Sequence, residues 1–303
     1  MITEELIVKN AETKTKFIDY AVQNINQITS RKGIKKAIER GFLLLNGKKA
    51  RTDAWLKKGN KITLLQSNIY KGKIFKLKIN VIYEDDYLAV INKPAGYPVS
   101  GNKFKTITNA LPFNLKNSSE KDRLSRIHPV HRLDSLTAGL LICAKTARAA
   151  VYLSKMFENG EIRKTYRALL IGKTPERGVI DFPINNCRAV SEYKKIKSIE
   201  TLKFGAITLA ELFPKTGRTH QLRIHTAFSG FPVLGDPLYP EDENFCRYKG
   251  KGLFLAATGL RFKHPFSDEL MSFEISAPSK FEKYLERESK RFDKYQKNKI
   301  LTE

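Results

Sequence analysis

Along residues 15–25, TKFIDYAVQNI, apolar side chains fall at Phe17, Tyr20, Ala21 and Ile25, the spacing of one helix face. Ser30 stands as an N-cap before RKGIKKAIERG, with Ile34, Ala37 and Ile38 as the apolar stripe and Gly41 as the stop. Arg31, Lys32, Lys35, Lys36 and Arg40 fill the other face, opposed only by Glu39. FLLL (42–45) then reads as a strand, Asn46–Gly47 as a tight turn, and NKITLL (60–65) as a second strand.

From about residue 80 the period shortens. INVIYEDDYLAVINKPAGYPV (79–99) predicts a strand, an acidic turn at Glu84–Asp86, a second strand and a proline-glycine turn. KNSSEKDR (116–123) reads as a surface loop, and TARAAVYLSKMFENG (146–160) as a helix closed by Gly160. IRKTYRALLIG (162–172), GAITLAELFP (205–214), LFLAATGLRF (253–262) and LMSFEIS (270–276) predict further strands. THQLRIHTAFSG (219–230) and the polar tail SKFEKYLERESKRFDKYQKNK (279–299) predict helices. Successive strands with few strand–helix–strand units imply an α+β fold: a mostly antiparallel or mixed sheet with flanking helices.

Composition changes the picture in one respect. The chain has 303 residues, enough for two domains, and carries 55 Lys and Arg against 31 Asp and Glu, a formal charge of +24. Residues 1–79 hold 18 basic and 6 acidic residues, so a quarter of the chain holds half of that excess. A basic N-terminal module over 1–79, with its core at about 14–65, and a larger domain over 80–303 are therefore expected. Such an excess predicts a polyanionic partner, and nucleic acid is favoured over a membrane surface. Cys143, Cys187 and Cys246 are widely spaced and odd in number, which is no disulfide framework. No signal-peptide pattern and no apolar run of membrane-spanning length is present, so a cytoplasmic protein is expected.

Three polar clusters could carry chemistry. In HPVHRLDSLTAGLLICAK (128–145), Pro129 forbids a regular helix interior, so His128 to Asp134 is extended or looped. An extended run turns Arg132 and Asp134 one way and His131 and Leu133 the other. Thr137, Ala138 and Gly139 leave room for close backbone approach before LLICA enters the core. The bland reading is a surface pair beside a turn. In KTGRTHQLRIHTAF (215–228), Lys215, Arg218, His220, Arg223 and His225 crowd together. An arginine from this segment could pair with Asp134, or the segment could be a phosphate-contacting helix start. Losing Asp134 would then strand that arginine, at about 3–5 kcal/mol where it is buried and less where water reaches it. In EIRKTYRALL (161–170), Tyr166 lies mid-strand among Arg163, Lys164 and Arg167, the makeup of a core residue or of a base-stacking platform.

Two resemblances organise these clusters. The motifs SRKGIKKAIERGFLLLNGK and LKKGNKITL resemble the small RNA-binding domain named after a protein of the small ribosomal subunit, with Asn60 where that family commonly has aspartate. HRLDSLTAGLLICAK, KTYRALL, GRTHQLRIHTA, GDPLY and INKPAG, together covering roughly residues 80–278, resemble the RluA-type pseudouridine synthases. That resemblance implies isomerisation of uridine within RNA: the base is detached from its ribose, turned, and rejoined through carbon. It implies no metal and no cofactor. It implies Asp134 as the catalytic aspartate and Tyr166 as the aromatic stacked on the target uracil. Arg223 becomes the arginine paired with the carboxylate, Arg132 with neighbouring His131 a probe of the RNA, and Leu222 an apolar wall of the pocket. Ala138 stands where the family usually has serine.

Arg31, Lys32, Lys35 and Lys36 are the expected RNA contacts of the first module. The partner is RNA, with ribosomal RNA favoured over transfer RNA, no membrane is involved, and the chain is expected to act as a monomer. Two rivals follow from the residues alone. A metal hydrolase could draw on His128, His131, Asp134, His220 and His225, but Pro129 and the crowding arginines disfavour a cation. A non-catalytic RNA-binding protein fits the charge equally well but leaves the three clusters unexplained.

Overall fold

The computed structural model describes residues 2–9, 15–25, 28, 30–65, 73–239 and 252–302. It divides into two compact units, one of residues 1–89, 108–130 and 142–154, the other of residues 90–107, 131–141 and 155–303.

The first unit opens with β1 (Ile2–Ile7), α1 (Phe17–Asn24), α2 (Arg31–Glu39), β2 (Leu43–Leu45), β3 (Lys48–Lys49) and β4 (Lys61–Leu65). The strands form one antiparallel sheet in the order β1-β4-β2-β3. The Ser30 hydroxyl accepts a 3.1 Å bond from the Gly33 amide, the cap expected from the sequence, and α2 ends at Gly41 with φ +74°. Asn46 and Gly47 both have positive φ, as a tight hairpin turn requires. Asn60 accepts a 2.8 Å bond from the Lys57 amide through its side chain, so it closes this turn as aspartate would. Phe17, Ile34, Leu43 and Ile62, all essentially buried, join Val8 and Ala21 in a core confined to residues 8–64. The strand β1 was not legible in the sequence.

The same unit contains β5 (Asn80–Glu84), the start of β6 (Leu88–Lys93), most of α3 (Ile107–Asn114), β7 (Arg123–Pro129) and most of α4 (Ala147–Glu158). β8 (Ala138–Thr146) begins in the second unit and ends in the first.

In the second unit, β9 (Arg163–Ile171), β10 (Arg177–Asp181), β11 (Val190–Thr201), β12 (Gly205–Pro214) and β13 (Leu255–Lys263) form a sheet in the order β10-β11-β12-β9-β13, with β14 (Leu270–Glu274) also on β13. These pairings are antiparallel, whereas β8 joins β13 in parallel through Ala138 and Gly139. The architecture is thus α+β with a mixed sheet. The helices α5 (Gln221–Phe228) and α6 (Lys280–Thr302) complete the described elements. On one sheet face Leu169, Ile207 and Phe254 pack with Phe281 and Leu285 of α6, and on the other Leu170, Leu212, Leu222 and Leu255 pack together.

Two local features shape this sheet. Gly139 has φ +119°, and a Cβ there would lie 2.1 Å from the Ala257 carbonyl oxygen. Only glycine lets β8 approach β13 so closely. β9 changes character along its length: Ala168 to Ile171 are buried, while Arg163 to Arg167 are not. Tyr166 therefore sits where the strand leaves the core. Cys143 is a buried free thiol and Cys187 an exposed one, and Cys246 lies outside the described residues.

Candidate active site

A cavity of about 550 Å³ in the second unit is lined by His131, Arg132, Asp134, Tyr166, Leu222 and Arg223, among others. All six sequence-derived candidates of the larger domain thus meet in one space. Arg31, Lys32, Lys35 and Lys36 lie instead on α2 of the first unit, where all four are exposed.

Asp134 stands in the loop leading to β8, where its carbonyl accepts a 3.1 Å bond from the Thr137 amide. The loop is held from below by Lys93, which is fully buried. Its ammonium donates to three carbonyls, of Thr137 at 2.7 Å, Pro94 at 3.0 Å and Ser135 at 3.1 Å. Burial pulls this lysine down to about 8, with Asp134 acting against the fall. Arg132 is exposed and Leu133 buried, in keeping with alternation along an extended run. The His131 ring lies 4.5 Å from that of Phe157, and burial with nearby Lys164 pushes the imidazole down to about 3.

Arg223 comes from α5 and is the hub of the site. Its Nη1 donates to Asp134 Oδ2 at 3.2 Å. Its Nε and Nη2 donate to Asp236 Oδ2 and Oδ1, both at 2.6 Å. Burial alone would lower this guanidinium, but the hydrogen bonds and charges of Asp236 and then Asp134 outweigh it and hold it above its ordinary value. The Asp236 side chain is fully buried, and its Oδ1 also accepts from the amides of Leu238 and Tyr239. The Tyr239 ring lies 5.4 Å from the guanidinium carbon.

His220 precedes α5 with φ 54°, a left-handed conformation that a non-glycine residue holds at a cost and that recurs at functional sites. Its Nε2 is 3.6 Å from Asp134 Oδ1, and its Nδ1 is 3.4 Å from the Tyr239 hydroxyl. Gln221 fixes the segment: its Oε1 accepts from Thr216 and the Arg218 amide, while its Nε2 donates to Val190 and Ser191. His225 turns away from the cavity, with its two ring nitrogens 3.0 Å from Ser191 Oγ and the Phe182 carbonyl oxygen. Among the described residues no set of three His, Cys, Asp or Glu side chains gathers as a metal site.

Tyr166 pairs across the sheet with Leu212 and Ala257 and packs beside Leu222. Burial and the Asp134 charge push its phenol up, which leaves it a neutral ring with a proton to donate. Lys164 shares the cavity, and burial lowers its ammonium. Arg167 does not line it, reaching instead to Glu211 and Glu274. The cationic surround expected for Tyr166 is therefore narrower than the sequence suggests, because strand alternation sends Arg167 to the other face.

The arrangement offers a carboxylate on a clamped loop, an arginine to orient it, an aromatic ring and exposed cations at the rim. Asp236 and Lys93 received no role from the sequence, and His220 only that of a ligand in the rival metal-hydrolase reading. Asp236 and Lys93 stand inside the motifs GDPLY and INKPAG, but nothing local in those stretches says what they bind.

The family described as RNA pseudouridylate synthase matches residues 87–228. An uncharacterized RNA pseudouridine synthase of Aquifex aeolicus is 34% identical over 278 residues, covering 83% of this chain and 87% of that protein. Ribosomal large subunit pseudouridine synthase D of Buchnera aphidicola is 30% identical, covering 87% and 91%. Ribosomal large subunit pseudouridine synthase C of Vibrio parahaemolyticus is also 30% identical, covering 88% and 91%. Among solved structures, Human RNA Pseudouridylate Synthase Domain Containing 4 superposes with a TM-score of 0.57 at 26% identity, over 69% of this chain and 92% of that one.

Proposed function

The chain belongs to the RNA pseudouridylate synthase family, and from that premise we propose that it converts uridine to pseudouridine in ribosomal RNA with Asp134 as the catalytic carboxylate. The observation that carries the residue assignment is the Asp134–Arg223–Asp236 array on the wall of a cavity that also contains Tyr166. The relatives named as ribosomal large subunit synthases favour ribosomal RNA over transfer RNA.

The target base starts inside a stack, so it must be turned out before any carboxylate reaches its ribose. Extrusion costs a few kcal/mol, and a base stacked on Tyr166 returns about 1–3 kcal/mol. Arg132 at the rim and the part-buried His131 beside it meet the RNA, and Leu222 closes the apolar side of the uracil pocket. Asp134 acts at the ribose to break the N1–C1′ bond; the base turns within the cavity, C5 bonds to C1′, and C5 gives up its proton while N1 takes one up. No atom is gained or lost. Arg223 keeps the Asp134 carboxylate facing the substrate throughout.

Residues 1–79 form an RNA-binding module, its packed core running from Val8 to Leu64 and so beginning before the expected residue 14, in which Arg31, Lys32, Lys35 and Lys36 contact phosphates. The enzyme works as a monomer in the cytoplasm, where ribosomes are assembled. No helix among the described residues is long and apolar enough to cross a membrane.

The test is Asp134→Asn assayed on total RNA from cells lacking the gene. The amide keeps the shape but can neither attack the sugar usefully nor accept its proton, so conversion should fall to background while RNA binding persists. A folded, RNA-binding variant that still makes pseudouridine would overturn the assignment. Mapping which RNA loses pseudouridine on gene deletion tests the substrate, with loss in transfer RNA alone excluding the ribosomal reading.

A further inference from the structure

The chain has a single tryptophan, Trp55, and the fold holds it out of the core. It is 54% exposed, whereas the next residue, Leu56, is 4% exposed and belongs to the core of residues 8–64. The alternation is enforced by the backbone. Lys16 and Trp55 form an isolated antiparallel bridge, the Phe17 amide donates to the Ala54 carbonyl at 2.7 Å, and the Leu56 amide donates to the Thr15 carbonyl at 3.0 Å. With both neighbours tied down and Leu56 turned inward, the indole has to face outward. A singly exposed apolar residue is ordinary on a protein surface. This one differs in being the bulkiest side chain, fixed by its backbone, and faced by a lysine ammonium.

The Lys16 ammonium lies 5.6 Å from the indole centroid, and Lys16, Arg51, Lys57 and Lys58 are all exposed. The nearest acid in sequence, Asp53, is paired with Arg51. A protein interface would be expected to extend an apolar patch around an exposed tryptophan, and here its exposed neighbours along the chain are charged: Lys57 and Lys58 on one side, the paired Arg51 and Asp53 on the other. A flat aromatic with lysines beside it matches the needs of unpaired nucleic acid: the ring stacks on a base and the ammonium groups meet the flanking phosphates.

We propose that Trp55, with Lys16, Lys57 and Lys58, is a stacking post for an unpaired base of the RNA, set on the N-terminal module. The proposal rests on the reading of residues 1–79 as RNA-binding and adds to it a residue and a preference, single-stranded over duplex. Phosphate contacts by α2 act on either form, but a stacking ring needs a base that its partner strand does not hold.

The sole tryptophan reports on itself. The full-length protein is titrated with a short single-stranded RNA and with a blunt duplex, following indole fluorescence and the anisotropy of end-labelled RNA. Single strands should quench the indole and the duplex should not. Trp55→Ala should weaken single-strand binding about tenfold, which corresponds to about 1.4 kcal/mol, and leave duplex binding unchanged. Trp55→Phe keeps a ring and should retain most of the affinity. Single-strand binding with a silent indole and an unaltered Trp55→Ala affinity overturns the proposal, and so does an equal loss for both RNA forms with a lowered melting temperature. A variant with Lys32, Lys35 and Lys36 changed to Gln separates the two claims. If its salt dependence matches the parent, the RNA-binding reading of the module fails and takes the proposal with it. If the salt dependence weakens while the indole stays silent, only the stacking role fails.

Discussion

Asp236→Asn separates holding the site together from doing its chemistry. Asp236 takes two 2.6 Å bonds from Arg223, and its side chain is fully buried. An amide in its place puts an NH₂ group against one of the guanidinium N–H groups, so at least one bond becomes a donor–donor contact. It also removes the charge that balances a guanidinium whose side chain is 4% exposed. Breaking a buried pair from one side costs about 3–5 kcal/mol. At roughly 2–4 °C per kcal/mol for a chain of this order of size, the melting temperature should fall by about 10 °C. Arg223 then keeps its 3.2 Å bond to Asp134 and at most one bond to position 236, and can shift towards Asp134. A displacement of about 1 Å at a reacting group can cost about a hundredfold in turnover.

Asp134→Asn is the contrast. It loses one longer bond at a side chain that is 20% exposed, and Arg223 stays anchored on Asp236. Its stability should drop by only about 1 kcal/mol. The cost expected from the sequence for stranding Arg223 therefore moves from Asp134 to Asp236, because the structure supplies a second and stronger partner. Melting curves and a time course of pseudouridine formation on RNA from cells lacking the gene measure both quantities. An Asp236→Asn protein that melts and turns over like the parent would refute the anchoring argument. Equal destabilisation by the two variants would refute the ranking of the two bonds.

Tyr166→Ala should lose about 1–3 kcal/mol of base interaction, while Tyr166→Phe should keep it, and parent-level conversion by the alanine variant would make Tyr166 a packing residue only. Changing Lys32, Lys35 and Lys36 to Gln should reduce the slope of log affinity against log salt by about 2 for single-stranded RNA, read from anisotropy at several salt concentrations. Acid should act in part through His131, which sits at about 3 in the folded protein against 6.5 when free, so the unfolded chain binds the extra proton as pH falls below 6.5. Its stabilising share is whole above pH 6.5 and is lost progressively towards pH 3. His131→Gln should therefore melt with a shallower pH dependence between pH 6.5 and 4, and an unchanged slope would show that His131 is not protected from protonation.

Much of the fold was legible because it is local. The Ser30 cap, the Asn46–Gly47 turn, the α2 stripe and the strand β12 at Gly205–Pro214 follow from neighbours within a few positions. The elements that escaped share a physical cause. β11, Val190–Thr201, is a twelve-residue strand whose sequence is full of Lys, Ser and Glu, because only Ser191 and Thr201 along it are fully buried. α3 carries Pro112 inside it, which reads as a breaker. β1 and β10 are short, and their places are set by partners β4 and β11 rather than by their own pattern. The same distinction divides the site. Asp134, Tyr166 and Arg223 stand in recognisable runs. Lys93 acts on a carbonyl 44 positions away and Asp236 on an arginine 13 positions away. Neither residue type says in advance which backbone or which cation it will meet.

The two carboxylates on Arg223 also show why their roles are not interchangeable. Asp236 has little acceptor capacity to spare: Oδ1 takes Arg223 Nη2 and the amides of Leu238 and Tyr239, and Oδ2 takes Arg223 Nε at 2.6 Å. A carboxylate offers about four lone-pair sites, and four donors that folding fixes in place converge on this one. Asp134 is held on Oδ2 by one 3.2 Å bond, with the His220 Nε2 at 3.6 Å from Oδ1, outside good hydrogen-bond geometry. It lies on the cavity wall, part-exposed, with sites left for an incoming ribose. Two acids in one ion-pair network are thus sorted by saturation, one filled and buried, the other open and facing the cavity. That asymmetry supports the proposal, first drawn from the family resemblance, that Asp134 carries the reaction, and it makes a swap informative. An Asp134→Asn, Asp236→Asn double variant should melt below Asp236→Asn alone, since buried Arg223 then has no carboxylate left, and convert no more uridine than Asp134→Asn alone. Activity surviving in Asp134→Asn but lost in the double variant would instead put the chemistry on Asp236.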